Sequence, residues 1–485
     1  MDKAVAATGP SRYDVDSAAS VTSPDYGALS FWHATAGDDL GARASLPGDT
    51  TADVAIVGAG LTGLWTAYYL LRANPELRVV LLEKQIAGFG ASGRNGGWCS
   101  ALFPASAASL AKKHGRDAAI AMRRAMVDTV AEVQRVTDAE GIDCDFVRGG
   151  TLSFARSSVQ LAAARAEVAE ARTFGVDELE LIEFDSGGVD ATGSGRAGSP
   201  VGALAVVRDP ACARLHPAKL VRGLARVVER LGGVIHEQTE VLSWEPHRVT
   251  TSHGVVVADT IVLATEGYGA TLPQTHRRIL PLYSLMIATE PLPDSVWDEI
   301  GIAHGETFTD FRHLIVYGQR TADNRFAFGG RGARYHWGSS IRPEWDRDNG
   351  VFEHLRRTLV DFFPQAEQAS VTHRWGGPLG VPRDWHAHAS FDRATGIASA
   401  GGYVGDGLST TNLAGRTLTD LITGTDTVLT RLPWTGHRSP DWEPEPLRFA
   451  GSNAGLLAMT LADSEERVTQ RPSVAARLMG PLVGH

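Results

Sequence analysis

Residues 53–63 read Asp53-Val54-Ala55-Ile56-Val57-Gly58-Ala59-Gly60-Leu61-Thr62-Gly63. The apolar run before the first glycine predicts a buried strand, and the apolar residues after the last glycine predict a helix. Gly58 permits a tight turn, Gly60 lets the backbone approach a ligand, and Gly63 lets the helix pack on the strand. Glu83, 20 residues beyond Gly63 at the end of a second predicted strand, is placed to accept hydrogen bonds from a ribose. The pattern predicts a dinucleotide site with its pyrophosphate at the helix N-terminus; the alternative is an ordinary strand, turn and helix with a solvated acid.

A glycine-rich loop follows over residues 87–98. Its glycines, with Ser92 and Asn95 among them, let a large flat ligand approach at backbone distance, and Arg94 is available to phosphate or ring oxygens. A nicotinamide needs no such loop at this place, so the pattern favours FAD. The candidate cofactor residues of the two segments are Gly58, Gly60, Leu61, Thr62, Gly63, Glu83, Lys84, Ser92, Gly93, Arg94, Asn95, Gly96 and Gly97.

Four later segments add to this signal. They are Ala264-Thr265-Glu266-Gly267-Tyr268, Phe328-Gly329-Gly330-Arg331, Arg374-Trp375-Gly376-Gly377 and Gly402-Tyr403-Val404-Gly405-Asp406-Gly407-Leu408. Together with residues 58–97 they resemble the D-amino-acid oxidase/glycine oxidase superfamily of FAD enzymes, and within it the γ-glutamylputrescine oxidase-like branch of amine oxidases. The resemblance covers most of residues 45–425.

The resemblance implies an α/β fold, α+β overall, with a Rossmann-like FAD-binding domain into which an antiparallel-sheet substrate domain is inserted. Strands separated by short turns between 279 and about 380 also favour an antiparallel sheet. The predicted segments are an N-terminal extension (1–45) with an anchor at Leu29-Ser30-Phe31-Trp32, FAD-binding segments (46–104, 201–278 and 391–428), a helical and substrate-domain segment (105–200), a substrate domain (279–390) and a C-terminal helical tail (429–485).

A predicted helix from Ser409 follows a glycine-rich turn after a buried strand. The resemblance implies that its positive end meets the pyrimidine edge of the flavin. Asp406 stands in this turn where many relatives carry His, and it either caps the helix or faces a substrate ammonium. The cofactor candidates beyond the first loops are Val241, Thr265, Gly267, Gly405, Asp406, Gly407, Leu408, Ser409 and Thr410.

Three residues are candidates for catalysis. Arg331 and Tyr317 lie on neighbouring predicted strands of the substrate domain, where an Arg fork or a Tyr hydroxyl can meet flavin or substrate. Asp406 is the third. The alternatives are a solvated or structural Arg331 and a core Tyr317.

Composition excludes several classes of partner. The net charge is −10 and the Arg residues are dispersed, so nucleic acid is an unexpected partner. Three cysteines, Cys99, Cys144 and Cys212, favour a reducing compartment, and neither a zinc spacing nor a signal peptide nor a membrane-spanning run is present. These features predict a cytoplasmic protein without a metal. Some members of the resembled superfamily attach FAD through Cys or His, but matching positions are not evident here, so the resemblance implies non-covalent FAD beside an unmodified Cys99.

The resemblance implies oxidation of an amine or amino acid. The amine-bearing carbon gives its hydride to flavin N5, the imine hydrolyses, and O2 becomes H2O2. The alternatives are an FAD-dependent amine dehydrogenase that passes electrons to a carrier, and a tailoring or binding flavoprotein. Relatives similar to sarcosine oxidase place a Lys of the substrate domain near the flavin, but none of Lys3, Lys84, Lys112, Lys113 and Lys219 lies in residues 279–380.

Overall fold

A computed structural model describes residues 24–184 and 200–479 of the chain. Its strands, in chain order, are β1 (Thr50–Val57), β2 (Val79–Leu82), β3 (Trp98–Ser100), β4 (Thr151–Ala155), β5 (Glu180–Glu183), β6 (Ala205–Asp209), β7 (Cys212–Arg214), β8 (Val234–His236), β9 (Val241–Glu245), β10 (Arg248–Thr251), β11 (Val255–Leu263), β12 (Leu280–Thr289), β13 (Thr307–Asp310), β14 (Val316–Arg320), β15 (Phe326–Arg331), β16 (Val371–Val381), β17 (His388–Asp392) and β18 (Ile397–Gly401).

Helices connect these strands. They are α1 (Phe31–Ala34), α2 (Leu61–Ala73), α3 (Ala91–Arg94), α4 (Ala107–His114), α5 (Arg116–Glu140), α6 (Ser158–Thr173), α7 (Pro217–Arg230), α8 (Asp294–Ile300), α9 (Asn349–Phe362), α10 (Gly407–Thr423), α11 (Leu447–Thr469) and α12 (Val474–Met479). Gly115 separates α4 from α5 because its φ of 91° is outside the helical range.

The first sheet has the strand order β17-β18-β11-β1-β2-β8, and β10 and β9 extend it from β11. Strands β18, β11, β1, β2 and β8 run parallel. The four residues of β1 from Val54 to Val57 are all buried, which is typical of a central strand covered on both faces. Parallel strands bring their carboxyl ends to one edge, so the turns after β1, β2, β11 and β18 meet there.

Helices α2 and α10 cross at close range below that edge. A Cβ added at Gly415 of α10 would lie 2.7 Å from the backbone carbon of Trp65 in α2. The Thr62 hydroxyl is also 3.0 Å from the hydroxyl of Tyr403, in the turn before α10. The contact brings the N-termini of both helices to the same place.

The second sheet has the order β16-β12-β15-β14-β13-β4-β6-β5 and is antiparallel except between β13 and β4. The predicted fold class, a Rossmann-like domain with an antiparallel substrate sheet, is confirmed. Two boundaries differ from the sequence prediction. Strand β6 belongs to the second sheet although residues from 201 were assigned to the FAD-binding domain, and β17 joins the first sheet although that assignment began at 391. Both are short strands whose sheet membership depends on distant partners rather than on local pattern.

The predicted N-terminal anchor is buried. Phe31 and Trp32 are each 2% exposed and pack with Trp375 and Met286 of the second sheet. Residues 1–23 of the predicted extension lie outside the described residues.

Within residues 24–184 and 200–479, no helix combines the length and the apolar character that a bilayer crossing requires. Cys99, Cys144 and Cys212 are all buried free thiols.

Candidate functional site

A cavity of about 560 Å³ opens at the carboxyl edge of the first sheet. It runs from the ends of β1 and β2 past the end of β11 to the start of α10. The following predicted cofactor residues line it: Gly58, Gly60, Leu61, Thr62, Glu83, Lys84, Ser92, Asn95, Val241, Thr265, Gly267, Gly405, Gly407 and Leu408. Residues distant in sequence are therefore gathered around one elongated space.

The remaining predicted residues do not line this cavity; they are Gly63, Gly93, Arg94, Gly96, Gly97, Asp406, Ser409 and Thr410, together with Arg331 and Tyr317. The four glycines serve close packing beneath it. A Cβ at Gly63 would lie 2.1 Å from the carbonyl oxygen of Gly58, and one at Gly93 would lie 2.3 Å from that of Gly88. At Gly97 the carbonyl oxygen of Leu215 would be 2.2 Å away.

Two helix N-termini face the cavity without a cap from their own N-cap side chains, although Ser92 Oγ accepts the N–H of Leu61, the first residue of α2, at 2.8 Å. Helix α2 begins after Gly60, which has no side chain, and the side chain of Asp406 makes no capping hydrogen bond to α10. The alternative role of Asp406 as a helix cap is therefore wrong. Uncapped N-terminal amides carry a partial positive charge and favour an anion or an electron-rich ring edge.

Glu83 lies at one end of the cavity, directly after β2. Its carboxylate accepts the backbone N–H of Ala59 at 3.0 Å and that of Gln85 at 2.9 Å. Burial raises the pKa of Glu83 above its ordinary value. The neighbouring Lys84 is paired with Glu240 at 2.6 Å, so its ammonium already has a carboxylate partner.

Arg94 is 4% exposed and does not itself line the cavity. Its guanidinium donates to Asp346 Oδ2 at 2.7 Å, to the hydroxyl of Tyr268 at 2.7 Å and to the carbonyl oxygen of Gly376 at 2.9 Å. It thus ties the glycine-rich loop to the second sheet instead of offering its fork to a phosphate. Tyr268 and Asp346 line the cavity and were not singled out from the sequence.

Glu266 also lines the cavity and was missed. Its backbone has a φ of 44°, and its carboxylate accepts the N–H groups of Gly402 at 2.9 Å and Tyr403 at 3.2 Å. Burial raises its pKa to about 7, and these backbone hydrogen bonds oppose the rise. Glu266 therefore holds the turn after β18 against the end of β11.

Arg331 lies at the margin of the cavity, beside the turn before α10. Its Nη2 donates to the carbonyl oxygen of Val404, and its guanidinium carbon is 5.8 Å from the ring centroid of Trp385. A Cβ at Gly405 would lie 3.2 Å from Nη2, so the cation adjoins a cavity-lining residue. Burial lowers the pKa of Arg331, and the charge of Asp406 opposes that shift.

Asp406 is half-buried. Burial raises its pKa to about 6, and the Arg331 charge opposes the rise. A carboxyl group that titrates near neutrality therefore stands at the positive end of α10.

Tyr317 supports the glycine-rich loop from the second sheet. Its hydroxyl is 2.8 Å from Ser284 Oγ, and a Cβ at Gly96 would lie 2.6 Å from its ring. Cys99, the thiol nearest this loop in sequence, is buried, does not line the cavity, and has a pKa raised well above its ordinary value by burial.

The cavity fits an adenine dinucleotide that carries a second flat ring. It offers an acid at one end, one uncapped helix N-terminus beside Gly60 and a second beside Gly407. The described residues contain no group of His, Cys, Asp or Glu side chains arranged to hold a metal ion.

Comparison with known proteins agrees with this geometry. Residues 53–421 match the family model DAO, described as FAD dependent oxidoreductase. The chain is 30% identical over 386 residues to the probable oxidoreductase OrdL of Haemophilus influenzae, a match that covers 77% of this chain and 84% of that protein. It is 29% identical over 380 residues to the gamma-glutamylputrescine oxidoreductase of Escherichia coli, covering 77% and 84% of the two chains.

Solved structures share the fold. Glycine oxidase from Geobacillus kaustophilus superposes with a TM-score of 0.65 at 20% identity, over 80% of this chain and 99% of that one. L-proline dehydrogenase from P. horikoshii gives a TM-score of 0.62 at 18% identity, over 80% and 98%.

Proposed function

The chain belongs to the DAO family of FAD-dependent oxidoreductases, and from this premise we propose that it oxidises an amine or amino acid at the carbon that bears the nitrogen. Membership confirms the cofactor and the enzyme class predicted from the sequence. The observation that carries the finer proposal is the position of the cavity, whose far end lies between the start of α10 and Pro378 and Leu379 of the second sheet. The similarity to a gamma-glutamylputrescine oxidoreductase supports an amine as the substrate.

FAD, when bound, would supply the acceptor for a hydride from the carbon that bears the nitrogen. We assign Glu83 to the ribose, the first amides of α2 to the pyrophosphate, and the amides from Gly405 to Leu408 to the pyrimidine edge of the flavin. A Glu83→Ala variant with unchanged FAD affinity would contradict the ribose assignment. The non-covalent attachment of FAD stays a prediction, and Cys99 is too buried to favour a covalent link.

The protein's own contribution to the reaction is to position the substrate and to exclude water. The wall on the side of the second sheet includes apolar Ile341, Pro343, Pro378 and Leu379, together with the charged residues Arg342 and Asp346. Apolar residues favour the neutral form of an amine over its ammonium, and only the neutral form can release the carbon-bound hydrogen to an acceptor. No acid–base dyad is needed for this role.

The proposal is tested by anaerobic titration of the purified protein with putrescine, γ-glutamylated amines, sarcosine, proline and D-amino acids. At least one of them should remove the flavin absorbance band near ~450 nm, because that band belongs to the hydride-accepting form. If none of these compounds reduces the flavin, the protein is a flavoprotein with another role.

We expect electron transfer to O2 to be slow, which favours an amine dehydrogenase as the second candidate. None of the chain's five lysines lies in residues 279–380, and the loss of a preorganised cation beside a redox site costs ~10²-fold or more in rate. Arg331 is a weaker substitute because its charge is delocalised. Stopped-flow mixing of reduced enzyme with air-saturated buffer measures the rate. Reoxidation much faster than kcat would establish an oxidase, whereas higher turnover with an artificial acceptor would establish the dehydrogenase.

Replacing Asp406 with asparagine should raise the reduction potential of the bound flavin above pH 6. The pKa of Asp406 is about 6, so at pH 8 the wild-type carboxylate is charged and disfavours electron density at the start of α10. At pH 8 the reduction potential of the variant should exceed that of wild type by on the order of 30 mV, equivalent to about 1.4 kcal/mol for two electrons. The difference should be smaller at pH 5, where the wild-type carboxyl group is mostly protonated. Spectroelectrochemical titration of both proteins at both pH values measures the difference. A lower reduction potential in the variant would show that Asp406 does not lie beside the part of the flavin that becomes electron-rich.

The raised pKa of Asp406 also determines how the free energy of unfolding changes with pH. Because the folded-state pKa lies above the ordinary 3.8, the stability associated with protonated Asp406 is complete below pH 3.8 and is lost as the pH rises through about 6. The apoprotein of Asp406→Asn should therefore have a higher Tm than wild type at pH 8, with a smaller difference at pH 5.

A further inference from the structure

Residues 24–36 precede the segment 53–421 that matches the family, yet they form part of the cofactor cavity. Pro24, Asp25, Tyr26 and Leu29 line its wall. This segment contains a 3₁₀ turn (Tyr26–Leu29) and helix α1, each capped by the side chain before it. A chain segment that precedes the part matching the family model thus contributes to the cavity wall.

Tyr26 closes the end of the cavity where Glu83 lies. Its hydroxyl donates to Gln85 Oε1 at 2.9 Å and accepts from Gln238 Nε2 at 2.7 Å. Its ring meets Phe89 edge-on at 6.3 Å between centroids and is 5% exposed. Gln85 also donates its backbone N–H to Glu83, so Tyr26 and Glu83 share a partner.

The next residues hold the glycine-rich loop. Trp32 Nε1 donates to the carbonyl oxygen of Asn95 at 2.8 Å, and Ser30 Oγ donates to that of Gly93 at 3.4 Å. The His33 ring also covers Gly93, where a Cβ would lie 2.7 Å from it. Three residues of one short stretch, Ser30, Trp32 and His33, thus contact the loop that faces the cavity.

The segment is fastened to elements of both domains. Phe31 and Trp32 pack with Trp375 of the second sheet and with Ala218 of helix α7. Arg347 donates to the carbonyl oxygen of Ala28 at 3.4 Å. Because these contacts reach across the domains, the segment can leave only if several of them break together.

We propose that residues 24–36 are a cofactor clamp: Tyr26 retains the adenine end of FAD, and Trp32 fixes the loop against which the flavin lies. This inference rests on the FAD dependence of the family and not on the identity of the amine. FAD affinity therefore tests it independently of whether any amine is oxidised.

The test compares full-length apoproteins titrated with FAD, together with the rate at which holoprotein releases FAD. Tyr26→Ala should raise the FAD Kd at least about tenfold and speed release, because an aromatic wall and two hydrogen bonds are lost. Tyr26→Phe should lie between it and wild type. Trp32→Phe, which keeps a ring but loses the indole donor, should also weaken binding.

Trp337→Ala is the matched control, since Trp337 is 57% exposed and does not line the cavity. Apoprotein Tm and far-UV circular dichroism, expected near wild type for Tyr26→Phe and Trp32→Phe, separate loss of the site from loss of the fold. Wild-type Kd and release rate in Tyr26→Ala and Trp32→Phe would overturn the proposal. Equal weakening in Trp337→Ala would overturn it as well.

Discussion

A Gly63→Ala variant is expected to lose its FAD and to unfold more easily than the wild-type protein. The added Cβ would lie 2.1 Å from the carbonyl oxygen of Gly58 and 3.1 Å from Ile56 Cγ2. Both belong to β1 or the turn that follows it, which are backed by neighbouring strands, so helix α2 must move instead. Overpacking of this kind costs about 1–3 kcal/mol in unfolding free energy.

The effect on the cofactor should be larger than the effect on the fold. Displacing α2 moves its uncapped N-terminus away from the cavity, and several hydrogen bonds to charged oxygens, each worth about 1.5–3 kcal/mol, weaken together. We expect the FAD Kd to rise at least about 100-fold, which corresponds to about 2.8 kcal/mol. FAD titration of the apoprotein and its thermal unfolding measure the two effects.

Gly451→Ala is the control for this substitution. Gly451 lies within α11, and a Cβ there meets no heavy atom of the described residues within 4 Å. Alanine should stabilise that helix by up to about 1 kcal/mol and leave FAD affinity unchanged. If Gly63→Ala also keeps wild-type stability and affinity, the close approach of helix and strand is not needed.

An Arg331→Met variant should lose most of its activity while it keeps its fold. The guanidinium adjoins Gly405 and the start of α10, so its loss removes a buried positive charge from the place where we propose that the flavin becomes electron-rich. Removal of one such preorganised charge or donor lowers kcat by about 10²–10³-fold. The rate of anaerobic flavin bleaching by the best amine is the direct measurement.

Arg393→Met provides a matched control. Arg393 likewise donates to a carbonyl oxygen, that of Leu421, and lies 5.5 Å from a ring centroid, that of Phe391, but it is exposed. The flavin of the Arg393→Met variant should be bleached by the amine at the wild-type rate. If Arg331→Met does so too, or if its Tm falls far more than that of the control, Arg331 supports the turn at Val404 and has no role in the chemistry.

The sequence predicted which glycine-rich turns reach the cavity because their signals are local. Gly58 needs its φ of 103°, and Gly60 and Glu83 are placed by the same strand, turn and helix that the pattern describes. The glycine-rich turn before Ser409 also predicts a helix there, and α10 begins two residues earlier, at Gly407.

Arg94 shows why other parts could not be predicted. An arginine in a glycine-rich loop beside a predicted pyrophosphate site has the right chemistry to bind a phosphate. Its actual partner, Asp346, lies 252 residues away in the sequence. The role of Glu266 could not be predicted for the same reason, because its carboxylate accepts a hydrogen bond from the backbone N–H of Gly402, 136 residues away in the sequence. Such pairings arise from the packing of the two sheets, so no local pattern carries them.

The clamp also determines when the site can mature. Residues 24–36 leave the ribosome before Arg347, which contacts Ala28 and follows it 319 residues later. At the usual rates of synthesis of about 5–20 residues per second, that interval is on the order of tens of seconds. During this interval, Phe31 and Trp32 have no completed core in which to pack. The partly synthesised chain is therefore exposed to aggregation. Firm retention of FAD should therefore be among the last properties that a newborn chain acquires.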